Sequence, residues 1–188
     1  MQAICRLTLV ALVLAGCASS GASDTAPEPE AVSRVSFEGG AVVEMHNAPG
    51  VGARDMPAPI DSVWMALPRV YEMLGIPDVG AEPTQRIYGS MDFRARRIEG
   101  KRLSTYIDCG MGTTAVPNAD DYQVTMSVLT RLTPGQDNGT MAITTVRATA
   151  RPRATNRNPV SCQSKGTLES RVADLVMYVL LGGRGNGA

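Results

Sequence analysis

Residues 121–153 read DYQVTMSVLTRLTPGQDNGTMAITTVRATARPR, and the fold follows from how this stretch alternates. Tyr122, Val124, Met126 and Val128 occupy every second position, the turn-forming run PGQDNG interrupts, and Ala142, Thr144, Val146 and Ala148 resume the alternation. Successive side chains of a strand point to opposite faces, so the pattern predicts a long antiparallel hairpin with one buried face.

A sheet with one apolar face needs a second layer, and the flanking sequence supplies it. In GTLESRVADLVMYVLL (166–181), Leu168, Val172, Leu175, Val176 and Val179 fall on one helical face. Upstream, APIDSVWMALPRVYEMLGIP (58–77) spaces Val63, Leu67, Val70 and Leu74 for a helix, with Trp64 and Tyr71 flanking the stripe. Asp61 or Ser62 can cap its start and Gly75 its end. Pro68 removes one helical hydrogen bond and predicts a kink. Between this helix and the hairpin, RIYGSMDF (86–93) and RLSTYIDCG (102–110) read as strands joined by the basic, glycine-containing RARRIEGK (94–101). Further upstream, RVSFEGGAVVEM (34–45) reads as two short strands about Gly39-Gly40. The sum is an α+β fold, a two-layer sandwich in which an antiparallel sheet packs against two helices.

The order of these elements, with VWMALPRVYEMLGI (63–76) at the start, resembles the helix-grip domains of the BamC lipoprotein family. The resemblance covers roughly residues 57–182 and implies a curved antiparallel sheet embracing a C-terminal helix. Cys109 and Cys162, a single domain and a short tether depart from the BamC pattern.

The amino terminus carries an address. Its apolar run from Leu7 to Ala15 is about half the length a helix needs to cross a ~30 Å hydrocarbon core. Arg6 precedes the run and small residues follow it, the layout of an export signal. Leu14-Ala15-Gly16-Cys17 resembles the lipobox of bacterial lipoproteins, which implies removal of residues 1–16 and attachment of lipid at Cys17. Two or more acyl chains suffice for stable anchoring, at about 0.8 kcal/mol per buried methylene. Resemblance to lipoproteins of Gram-negative envelopes adds that Ala18, rather than Asp, after that cysteine implies the outer membrane, facing the periplasm. Residues 17–33 are small, polar and proline-containing and read as a tether, with a root-mean-square span of roughly 20 to 25 Å. Residues 34–182 form the expected single domain, and the glycine-rich 183–188 a frayed tail.

With Cys5 in the signal and Cys17 lipidated, Cys109 and Cys162 remain, an even pair that an oxidising compartment joins as a disulfide. A reactive thiol or a metal pair is the alternative, but His46 is the one histidine, no Cys-x-x-Cys occurs, and a zinc site needs at least three protein ligands. No metal or cofactor is expected. No nucleophile motif surrounds any serine, and Asp120-Asp121 would point to opposite faces of a strand. Glu169 falls in the first turn of the last helix, where its charge complements the helix dipole.

Charge is uneven. Residues 94–157 hold ten Lys/Arg against five acids, a net of +5, in a chain that is neutral overall. Export removes nucleic acid as a natural partner. The arginines either decorate solvent-facing strand positions or face an anionic lipid, a lipopolysaccharide phosphate or an acidic protein. Arg94, Arg96, Arg97 and Arg102 are the candidate partner-binding residues, together with any free edge of the hairpin. The expected function is a non-enzymatic envelope lipoprotein that binds or assembles other envelope components. A carrier or sensor of an apolar ligand held between helix and sheet is the alternative, and an enzyme of unknown class comes third.

The anchor is directly testable: Cys17→Ala should abolish acylation and lipid-dependent membrane retention. Mass spectrometry finding the same acyl mass on that variant would overturn the lipobox reading.

Overall fold

The computed structural model describes residues 52–77, 79–112, 115–153 and 158–183, together with the backbone of two strands at 32–36 and 42–46. The expected signal, Cys17, nearly all of the expected tether and residues 184–188 of the expected tail lie outside the described residues.

The hairpin of residues 121–153 is the centre of the molecule. Strands β9 (Gln123–Pro134) and β10 (Thr140–Arg151) pair antiparallel along their whole length, from Gln123 opposite Arg151 to Pro134 opposite Thr140. The other elements are β1 (Val32–Ser36), β2 (Val42–His46), β3 (Ala53–Met56), α1 (Ile60–Leu74), β4 (Val79–Glu82), β5 (Ile87–Ala95), β6 (Arg97–Ile98), β7 (Lys101–Arg102), β8 (Ile107–Asp108), α2 (Asn118–Asp121), β11 (Val160–Ser164) and α3 (Thr167–Leu180). The main sheet runs β4-β5-β9-β10-β11-β8, with β3 also paired to β10, and every pairing is antiparallel. β1 and β2 pair antiparallel as a sheet of their own, and the expected turn at Gly39-Gly40 lies outside the described residues. Among the described residues the fold is α+β, with antiparallel sheets and three α-helices.

Both long helices bury the stripes their spacing predicts. Val63, Leu67, Val70 and Leu74 of α1, and Leu168, Val172, Leu175 and Val176 of α3, share one core with Val124, Met126, Val128, Ala142, Ala148 and Ala150 of the hairpin. Burying each such aliphatic side chain is worth about 1.5–3 kcal/mol. α1 ends as expected at Gly75, whose left-handed backbone (φ 68°) lets its N–H reach the Glu72 carbonyl while Ile76 N–H reaches Tyr71. The helix runs without interruption through Pro68, which is exposed. Its start is a correction: Pro59 stands at the N-cap with no side-chain cap, and Asp61 accepts instead from Arg86 Nη2 at 2.6 Å.

A polar chain pins α1 to the hairpin. The fully buried Tyr71 hydroxyl lies 3.2 Å from the Tyr88 carbonyl, 3.4 Å from the Val128 carbonyl and 3.0 Å from Thr130 Oγ1, which is 2.9 Å from Thr144 Oγ1. Carbonyls only accept, so Tyr71 donates to one of them, its oxygen accepts from Thr130, and Thr130 accepts from Thr144. Tyr88 packs edge-on against both Tyr71 and Trp64, and Arg86 sits over the Trp64 ring.

Three further expectations need correction. Residues 102–110 are not one strand: β7, a 3-10 turn at Leu103–Thr105 and β8 share the stretch, and β8 pairs with β11 rather than β5. Leu103, Tyr106 and Ile107 are all buried, a spacing that alternation cannot produce. The hairpin does not bury one face alone, since Leu129 is buried as well as its neighbours Val128 and Thr130. Val179 is only partly buried near the end of α3.

Cys109 and Cys162 form a disulfide with Cα atoms 4.2 Å apart. Gln163 pairs with Asp108, so the two cysteines stand opposite each other on neighbouring strands. Cys109 directly follows the outermost strand β8, so the bridge ties that edge strand to β11. Closing a loop of 53 residues is worth about 4 kcal/mol in the chain-entropy view.

Tyr71→Phe should leave the core volume intact but deprive Thr130 of its acceptor. Denaturant unfolding should show a loss of about 1–2 kcal/mol. An unchanged stability would mean the Tyr71 hydroxyl contributes nothing to holding α1.

Candidate functional site

The expected contact surface included a free edge of the hairpin. The structure removes that option for most of its length. β9 is paired on both sides, by β5 and β10, while β10 is flanked beyond β9 by β3 at Thr140–Ile143 and by β11 at Ala148–Ala150. Thr144 N–H, between those two stretches, donates to the Gly52 carbonyl. A strand in the middle of a sheet has no edge to offer.

What the hairpin offers instead is its open end. A β-bulge in β5 sets this up: Ser90 faces Val128 and Phe93 faces Met126, so β5 carries one residue more than its partner. Asp92, in the left-handed region at φ 50°, is the residue that absorbs the irregularity, and its N–H donates to Ser127 Oγ at 3.0 Å. Before the bulge Tyr88 and Ser90 share a face with the inward residues of β9; after it Phe93 and Ala95 do. Arg94, opposite Thr125, is thereby turned outward.

Arg96 follows, and then a tight hairpin whose turn residues Glu99 and Gly100 both have positive φ, 50° and 72°. This geometry matches the twist of its strands. It places Arg97 directly opposite Arg102. On the far side of the opening, Arg153 leaves the end of β10 and donates from Nε to the Asp121 carbonyl at 2.9 Å. Arg94 donates from Nη1 and Nε to the Gln123 side-chain oxygen at 3.0 and 2.9 Å, with the amide turned to present that oxygen.

These elements enclose a cleft of two lobes, each of about 530 Å³. Arg94 and Gln123 line one lobe, Arg97, Arg102 and Asp120 the other, and Arg96, Tyr122 and Arg153 line both. All four arginines singled out in the sequence are therefore brought to one place. Arg153 and Tyr122 are functional candidates that sequence reasoning passed over. Tyr122 was counted with the buried face, whereas it is half-buried at the cleft wall.

Two nearby acids, Asp120 and Glu99, are hydrogen-bonded through their carboxylates. Asp120 accepts from Ser104 N–H at 3.0 Å and Ser104 Oγ at 2.7 Å, in the turn of α2 rather than on a strand. Glu99 accepts from Arg171 Nε and Nη2 on α3 and from Lys101, and the Arg171 hydrogen bonds hold its carboxyl below the usual range. Among the described residues no group of three or more His, Cys, Asp and Glu is placed to hold a metal ion. No described helix is long and apolar enough to cross a membrane.

Glu169 is a second correction to the sequence reading. It does lie in the first turn of α3, but it is only 3 % exposed, with Oε1 accepting from Ser164 Oγ at 2.5 Å and Oε2 without a partner. Burial pushes its carboxyl pKa up. Comparison with protein-family models finds no match for this chain, and comparison with curated proteins finds none either.

An acid whose pKa is higher folded than unfolded binds protons more readily in the folded state. Its contribution to stability is present at low pH and is lost as pH rises through the folded value. Glu169→Gln should therefore gain stability relative to the parent as pH is raised from 4 to 8 in thermal unfolding. A difference that is constant across that range, or that moves the other way, would show that burial does not raise the Glu169 pKa.

Proposed function

We propose that this chain is a non-enzymatic, lipid-anchored module of the bacterial envelope that binds other envelope components through the arginine-lined cleft at the open end of its central hairpin. The observation that carries the reading is the convergence of Arg94, Arg96, Arg97, Arg102 and Arg153 on one cleft, where among the described residues Asp120 is the one acidic lining residue and accepts hydrogen bonds from Ser104. A positive field of this kind attracts and orients an anionic partner. Anchoring at Cys17 and an outer-membrane location facing the periplasm belong to the same proposal and rest on the lipobox-like Leu14-Ala15-Gly16-Cys17.

The BamC-like helix-grip arrangement is part of the proposal too, supported by a helix, α3, lying against a long antiparallel hairpin. The binding reading is favoured over an apolar-ligand carrier because the layer between helices and hairpin is filled by packed side chains, among them Leu67, Val70, Leu74 and Val172. A carrier would need that space for its ligand.

Native isolation from detergent-solubilised membranes tests the proposal. The parent should retain an envelope component that Arg96→Glu/Arg102→Glu loses, while the variant keeps its thermal transition, since exposed substitutions usually change stability by about 0.5 kcal/mol or less. An identical set of retained components in both proteins would refute the cleft as the contact surface.

A further inference from the structure

The cleft's chemistry points to one ligand class. This inference rests on the cleft being the contact surface and deepens that reading. We propose that the cleft binds phosphate groups carried on the headgroup of an anionic membrane lipid.

The first ground is the kind of cation present. Among the described residues, the five basic ones that line the two lobes are all arginines. Lys101, next in sequence to Arg102, pairs with Glu99 instead. Arginine presents a planar fork of donors that engages two oxygens at once, which suits carboxylate and phosphate better than a point charge does.

The second ground is a like-charge pair that no direct ion pair relieves, although Asp120 lines the same lobe. Arg97 and Arg102 are directly opposite in the β6–β7 hairpin, and like charges at such positions destabilise a strand pair. The acid on that hairpin, Glu99, is committed to Arg171 on α3 and to Lys101. Among the described residues, Arg97 donates to the Gly100 carbonyl and no ion pair joins Arg96, Arg97 or Arg102 to an acidic group. An anion seated between them removes the repulsion.

The third ground separates phosphate from carboxylate. The guanidinium groups arrive from three directions: the end of β5, the β6–β7 hairpin and the segment after β10. A carboxylate offers two oxygens in one plane, whereas a phosphate offers three or four out of plane and can take forks from several sides. Arg96, Tyr122 and Arg153 line both lobes, so a headgroup bearing two phosphates can place one in each. The lipid source follows from the proposed anchor, since a tether spanning roughly 20 to 25 Å keeps the cleft near a phosphate-bearing surface.

The experiment is isothermal titration of the full purified chain, in maltoside detergent, with four probes: inorganic pyrophosphate, dihexanoyl phosphatidic acid, dihexanoyl phosphatidylcholine and citrate. Pyrophosphate and phosphatidic acid should bind, and phosphatidylcholine and citrate should bind at least tenfold more weakly. Arg96→Ala/Arg102→Ala should weaken both phosphate probes by at least tenfold, whereas Arg54→Ala, at an exposed position of β3, should leave them unchanged. Citrate binding as tightly as pyrophosphate would overturn the phosphate assignment and favour an acidic protein. Pyrophosphate binding without phosphatidic acid binding would overturn the lipid source, and equal binding by the parent and the cleft variant would overturn the site. The two proposals fail separately. A retained envelope component that depends on Arg96 and Arg102, with no phosphate binding, defeats only this inference, whereas arginine-dependent phosphate binding with unchanged retention defeats only the assembly reading.

Discussion

The pairing of β9 with β10 constrains everything else in this molecule. Each strand is 12 residues long and the register is continuous, so the apolar alternation of the two strands coincides and produces a face that must be covered. Tyr71 then sets where the cover sits. Its hydroxyl reaches through the core to Thr130, and Thr130 reaches Thr144 on the neighbouring strand. A displacement of α1 by one turn would strand these hydroxyls without partners in an apolar interior, at a cost of about 1–3 kcal/mol for each unsatisfied group. The apolar core supplies the driving force; this chain of hydroxyls selects one placement of the helix.

Outward from the hairpin, edges and ends have different fates. The edges are covered: β5 lies along one side, β3 and β11 along the other, and the Cys109–Cys162 bridge holds β8 to β11. The open end is where the chain enters and leaves the hairpin, and there the backbone cannot continue the ladder. α2 leads in through Tyr122, whose N–H is held by the Asn118 carbonyl, and Arg153 leads out against the Asp121 carbonyl. Asn118 in turn bonds through its side chain to the Cys109 carbonyl. The disulfide edge and the arginine cleft are thus joined through one short segment, which gives the cleft a firm wall without a long strand beneath it.

The arginines are a local consequence of the bulge at Ser90–Phe93. Had β5 continued without the extra residue, the parity that places Tyr88 and Ser90 inward would have sent Asp92 and Arg94 into the core, where unpaired charges are prohibitive. The sequence carries the trace of this shift, with Tyr88 and Ser90 in one phase and Phe93 and Ala95 in the other. Read as one strand it conceals the shift. Glu169 illustrates the converse: its position in the first turn of α3 is plain from sequence, but its burial beside Ser164 depends on β11 approaching the helix start.

Local pattern by itself determined the hairpin, the two long helices, the stop at Gly75 and the α+β class, because each depends on neighbours two to four residues apart. The cysteine count raised the expectation of a Cys109–Cys162 bridge, and the fold brings the two within bonding distance. Tertiary structure alone decided the strand order, the division of residues 102–110 into three elements and the loss of the hairpin's free edge, because a strand's own alternation says which face is buried and nothing about which strand lies beside it. It also decided the cleft. Arg94, Arg96, Arg97 and Arg102 lie within nine residues and stand out as a basic run, but Arg153 is far away in sequence and joins them only because antiparallel pairing returns the end of β10 to the start of β9.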